Sequence, residues 1–260
     1  MTLNLVPPTH NLLGDKMVDK LLVGAGREET NMRHSSISQN STFTPQARTL
    51  GIIAGWITFA VSEVYAVVSG LVYVSQGAAV ESGPFLSIMA LLVVIMGPFL
   101  VLSMVAVHAY AAPNFKPYGL AALAFMIACV TITSCINFLL LMVSSQPDLF
   151  SESWRALFLP CKWPVPAFVL DNFVWDWFFG ISMLLAAPIF DGNTLKVALR
   201  FVMIASGALC LAGLLWLAIS PAQAIIVGIL GWGAAGSIVF LLLANMFGRV
   251  RIETQETPLL

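Results

Sequence analysis

Three carboxyl groups stand where carboxyl groups are costly. Of thirteen acidic residues, only Glu63, Asp171 and Asp176 fall inside long apolar segments. A charged acid at the centre of a spanning helix costs about 2.5–3.5 kcal/mol on insertion scales, so three cost roughly 8–10 kcal/mol. That is comparable with the stability of a whole domain. Protonation, pairing or a wet cavity must offset it. Burial in a low dielectric pushes a carboxyl toward its neutral form. A neutral acid can protonate a substrate that has no strong base, provided water is excluded. Aromatic faces attract cations and stabilise positive charge as it develops. An acid, a set of rings and a dry site are together the means of starting and guiding a carbocation reaction.

Depth and face select among the three. In a helix that begins at Pro166, Asp176 lies about 15 Å in, and Glu63 lies about 20 Å along the first apolar segment, so both reach the bilayer midplane. Asn172, Phe173, Phe179 and Gly180 stand at i−4, i−3, i+3 and i+4 from Asp176, on its face. Trp56, Phe59, Val67 and Gly70 share the stripe of Glu63. The expectation is that the two faces meet in one chamber, with Asp176 as the acid and Glu63 orienting it or taking the final proton. Trp175, Phe173, Phe179 and Trp56 would line that chamber beside Asn172. Asp171, about 7 Å into the helix, reads as a carboxyl hydrogen-bonding near the helix start, at the edge of the substrate site. Thr131, Thr133, Ser134 and Asn137 are the polar residues of the third segment that could bond such acids.

The elements that must hold these residues are membrane helices. The chain is 59% hydrophobic and only 10% charged, against about 25% charged in a soluble domain. Six apolar segments, at about 50–76, 84–110, 118–144, 166–187, 197–218 and 223–247, each exceed the ~20 residues needed to cross ~30 Å of hydrocarbon. The expected fold is therefore an all-α membrane protein: a six-transmembrane-helix bundle over 49–248, preceded by a largely disordered tail, 1–48, and followed by a short tail, 249–260. Within the first tail, Leu12, Leu13, Met17, Leu21 and Leu22 have the spacing of a short surface helix. Prolines mark the segment ends, and Gly97-Pro98 predicts a kink in the second. Gly231 with Ala235, and Gly233 with Ser237, are small pairs expected to pack helices closely.

Orientation follows from basic residues. With both tails cytoplasmic, Lys16, Lys20, Arg27, Arg33, Arg48, Lys116, Lys196, Arg200, Arg249 and Arg251 fall on that side, leaving Arg155 and Lys162 outside. The acceptor sequence at Asn40 should then stay unglycosylated. Cys129, Cys135, Cys161 and Cys210 form no C-x-x-C pair and read as small packing residues. No metal-ligand cluster, phosphate loop, paired Asp-rich motif or Ser-His-Asp set occurs, so neither a metal nor a cofactor is expected. The net charge of −1 points to no nucleic acid.

The stretch NFVWDWFFG, Asn172 to Gly180, resembles the N-F-x-W-E-x-x-Y-G signature of small integral-membrane meroterpenoid cyclases of fungal biosynthetic clusters. Asp176 stands where the motif has Glu, and Phe179 where it has Tyr. The resemblance implies a compact helical bundle that cyclises prenylated, commonly epoxidised, intermediates in secondary metabolism, with Asp176 protonating the epoxide or terminal alkene. It implies a hydrophobic isoprenoid substrate and, as protein neighbours, other biosynthetic membrane enzymes; the expected location is an internal membrane, the endoplasmic reticulum if the source is eukaryotic. Two other classes fit the buried acids: a small proton-coupled transporter, and a non-catalytic scaffold whose acids bond neighbouring helices.

Overall fold

The computed structural model describes residues 43–76, 84–216 and 219–250. Six helices long and apolar enough to cross a membrane account for most of them, and no strand occurs among the described residues. The chain is a multi-pass membrane protein. The helices are α1 Pro45–Gln76, α2 Pro84–Tyr110, α3 Lys116–Ser145, α4 Pro166–Ile189, α5 Thr194–Trp216 and α6, which runs from Pro221 to Arg249. The expected helix near Leu12–Leu22, residues 1–42 of the tail around it and residues 251–260 lie outside the described residues; the last part of the expected tail, from Pro45, is instead the first turn of α1, with Phe43 buried against the core.

Local chemistry sets the starts. Five of the six helices carry proline in their first turn, where a missing N–H has no intrahelical partner to lose. The exception, α5, is capped by Asn193, whose Oδ1 accepts from Lys196 N at 3.1 Å. Two C-terminal ends are closed by cations. Arg48 donates from Nε to the Phe247 carbonyl (2.9 Å) and from Nη2 to that of Gly248 (2.7 Å), tying the start of α1 to the end of α6. Lys116 Nζ donates to the carbonyls of His108 and Ala109 at the end of α2. Helical structure is continuous across Gly97-Pro98.

Packing divides the bundle along its length. At the clamped end, Met104, Val107, Met126, Met183, Phe190 and Phe247 are fully buried in one core. At the other end, Leu86, Ala90, Leu140, Val143 and Phe158 form a smaller cluster. Phe158 belongs to the α3–α4 connection, which folds back on the bundle through a bond from Ala167 N to the Leu157 carbonyl at 3.0 Å. Between the two clusters the bundle is hollow.

Candidate functional site

The hollow is a chamber of about 680 Å³, inside the range of about 300–1,000 Å³ that small-molecule sites occupy. α1, α2, α3, α4 and α6 wall it, and α5 supplies no lining residue. Most of the wall is aliphatic or aromatic. Its polar groups are few: Glu63, Tyr65, Asn137, Asp171, Asn172 and several serines. Among the described residues, no Lys, Arg or His lines it.

Among the described residues, Glu63 and Asp171 are the two carboxyls that face this space. Asp171 is built in from α3. Its Oδ1 accepts from the Thr133 hydroxyl and, at 3.2 Å, from Asn137 Nδ2. Asn137 also donates to the Thr133 carbonyl at 2.9 Å and to its Oγ1 at 3.2 Å, so the two α3 side chains brace one another. Cys161, in the α3–α4 connection, shares the chamber wall. Burial pushes the Cys161 thiol up to about 12. It is a thiol rather than a thiolate near neutral pH. Cys129 and Cys210 are buried, as packing residues should be, whereas Cys135 is exposed.

Two helix irregularities shape the deep wall. α4 passes through a π-helical turn at Trp175–Phe179, and α6 through another at Leu230–Ala235. Such turns insert a residue without breaking the helix and concentrate at functional sites. They bring Trp175 and Trp232 together, ring centroids 5.4 Å apart and tilted by 32°. Trp232 Nε1 is buried with no hydrogen-bond partner.

Asp176 stands elsewhere, which corrects the expectation of a chamber shared with Glu63. Its carboxyl points toward α5 and α6, into a cleft of about 10 Å³ lined also by Phe173, Leu214, Ala224 and Ile225. The residue is 6% exposed, and its Oδ1 has no partner. A Cβ at Gly228 would collide with both carboxyl oxygens, so the Asp176 side chain would have to shift to admit one. Asn172, Phe168 and Ile225 line both spaces and form the wall between them. The chamber face of α4 is thus Phe168, Asp171, Asn172, Trp175 and Phe179, about a quarter turn from the face centred on Asp176.

The remaining expected residues divide. Trp175 and Phe179 line the chamber and are buried. Phe173 is 38% exposed and stacks on Trp177 at 6.5 Å, outside it. Trp56 is also exposed and packs edge-on against Phe59, away from the chamber. Of the small residues on α6, Gly231 packs against the backbone of Cys210, as expected, and its carbonyl accepts from Ser206 Oγ at 2.8 Å. Gly233 instead lines the chamber, with nothing but its own helix within 4 Å of a Cβ. Tyr65 and Trp232 are chamber residues that the spacing of acids did not single out. No family model, curated protein or solved structure matches the chain.

Proposed function

We propose that the chamber is the active site of a membrane-embedded terpene cyclase, which closes rings in a hydrophobic prenylated intermediate after protonating it. The observation that carries this reading is a ring-walled chamber, within the span of six membrane helices, into which two carboxyls project. The acid in this reading is Asp171 rather than Asp176. Two donors occupy its Oδ1, so a proton it carries sits on the other oxygen. That proton passes to an epoxide oxygen or terminal alkene carbon. A neighbouring double bond then attacks the electron-poor carbon, forming the ring bond and moving the positive charge along the chain. Trp175, Trp232 and Phe179 offer ring faces to that charge. Glu63, as carboxylate, removes a proton to leave a new alkene, and returning it to Asp171 resets the pair. Substrate and product are isomers, and no electrons are exchanged with a partner.

The resemblance at Asn172–Gly180 supports the class of reaction, although the motif's own acid position is Asp176 and not Asp171; the distribution of basic residues supports both tails in the cytoplasm, and in a eukaryote the membrane would be that of the endoplasmic reticulum. The filled core at the clamped end is what supports a reaction chamber over a conduction path. The test is to supply candidate prenylated substrates to membranes carrying wild type, Asp171→Asn or Glu63→Gln, and to analyse the lipids by mass spectrometry and NMR. Cyclised product with wild type alone supports the reading. Equal product from Asp171→Asn sinks it, and pH-driven solute uptake in liposomes without product favours a transporter.

A further inference from the structure

The chamber has a wall that is not closed. Among its lining residues, five are exposed: Glu63 and Ala66 on α1, and Ile229, Ala234 and Ile238 on α6. Every lining residue of α2 and α3 is buried or half-buried, as is every one of α4. At the end nearest the α3–α4 connection, Val72, Leu86 and Phe158 are 3%, 2% and 7% exposed. The gap therefore lies between two neighbouring helices, at the depth of the hydrocarbon.

Those helices are joined at one end only. A Cβ at Gly55 would stand 3.0 Å from the Phe240 carbonyl and from Ala244 Cβ, so α1 and α6 touch there. Arg48 fastens them below that point. Beyond Gly55 the facing residues of α1 and α6 line the chamber instead of each other. The pair opens like a V toward its far end, and Glu63 stands in the opening. A carboxyl here meets whatever polar group an entering molecule carries.

We infer that the chamber is entered sideways from the lipid, between α1 and α6, by single-chain amphiphiles that carry no phosphate. The first half follows from where the exposed rim lies. The second follows from charge: among the described residues the chamber wall has two carboxyls and no Lys, Arg or His, which gives a phosphate or diphosphate no counter-charge there. A neutral hydroxyl, an epoxide or an amine meets no such opposition. The inference rests on the chamber being the substrate site and specifies both its route of entry and the head group it accepts.

The full chain in phosphatidylcholine vesicles tests it, with a diazirine-bearing farnesol analogue added to the lipid. Ala66→Trp and Ala234→Trp place bulk at the rim, and each should slow the initial rate of photolabelling about ten-fold. Ile95→Trp is the control. Ile95 is exposed on α2 and lines no part of the chamber, so its rate should match wild type. In unaltered protein, the earliest adducts should map to α1 and α6 around Glu63 and Ala234, and later ones to α3 and α4. Unlabelled farnesol should compete, and farnesyl diphosphate should not.

Unchanged rates in both rim variants, equal slowing by Ile95→Trp, or earliest adducts in the 146–165 connection would overturn the route. Equal competition by the diphosphate would overturn the head-group class. Because the readout is labelling and not product, the two readings fail separately. Probe uptake through the α1–α6 gap without any cyclised product removes the cyclase and keeps the doorway. Product that is insensitive to both rim variants does the reverse.

Discussion

At the scale of single residues, the two acids of α4 have opposite settings and should respond differently to the same change. Asp171 faces the chamber and is held by Thr133 and Asn137. Asp171→Asn keeps an oxygen for those donors but cannot give up a proton, so product should fall by about 100-fold or more, the scale of a lost general acid. Insertion into the membrane should be retained. Asp176 sits outside the chamber with an unpartnered oxygen, so Asp176→Asn should leave product within about three-fold of wild type, less than about 1 kcal/mol in the barrier. Mass spectrometry of the lipid products decides between them; the reverse order of losses would return the role to Asp176. The brace itself can be weighed. Thr133→Val strips a donor from a buried acceptor and should destabilise by about 1–3 kcal/mol, read as a lower thermal midpoint in detergent. Cys161 supplies a pH test. Its thiol is raised to about 12 from an ordinary value near 9, so the folded state holds its proton more tightly than the unfolded chain. The associated stability is complete below about pH 9 and is lost as pH climbs toward 12. Alkylation of Cys161 should accordingly be negligible at pH 7.5 and rise about ten-fold per pH unit above it. Fast labelling at pH 7.5, followed by peptide mass spectrometry, would contradict the buried setting.

At the scale of elements, glycines on one helix do opposite work. Gly228 receives the Asp176 carboxyl, and a Cβ there overlaps it. Gly233, five residues on, faces empty chamber. Gly228→Ala should therefore cost about 1–3 kcal/mol by overpacking, whereas Gly233→Leu should leave the thermal midpoint nearly unchanged and reduce capture of the farnesol probe. A fall in midpoint for Gly233→Leu equal to that of Gly228→Ala would show that both glycines merely pack helices. These positions also mark how far elements can be read from sequence. Prolines announce five of the six starts, and the six spans fall within a few residues of those expected from hydropathy. The π turns at Trp175–Phe179 and Leu230–Ala235 leave no such sign, because an inserted residue in an apolar run disturbs no polar–apolar alternation. The face of α4 was hidden for the same reason. Aromatic residues lie all round Asp176, so the faces centred on 172/173/179/180 and on 168/171/175/179 are equally plausible by composition. Only the position of α3, which carries Thr133 and Asn137, selects the second. Those two were legible as hydrogen-bonding candidates; that their acid is Asp171 was not.

At the scale of the whole molecule, the bundle is asymmetric from end to end. One end is solid and tied by Arg48 and Lys116 to helix carbonyls; the other holds the chamber beneath the α3–α4 connection. The basic residues repeat this asymmetry. Ten of twelve lie in or beside the two tails and the α2–α3 and α4–α5 turns, with only Arg155 and Lys162 in the α3–α4 connection. If the positive-inside rule governs insertion, the solid end meets the cytoplasm and the chamber lies in the far leaflet. A substrate would then have to reach that leaflet before it could pass between α1 and α6. Two measurements fix the orientation independently of any activity. Asn40 should remain unglycosylated in cells that modify the acceptor elsewhere. Ser153→Cys, at an exposed position of the α3–α4 connection, should react in sealed microsomes with a membrane-impermeant thiol reagent only after the vesicles are opened. Glycan on Asn40, or ready labelling of that thiol in sealed vesicles, would turn the bundle over. The V between α1 and α6 would then open into the cytoplasmic leaflet, and substrates made on that side would have direct access to it.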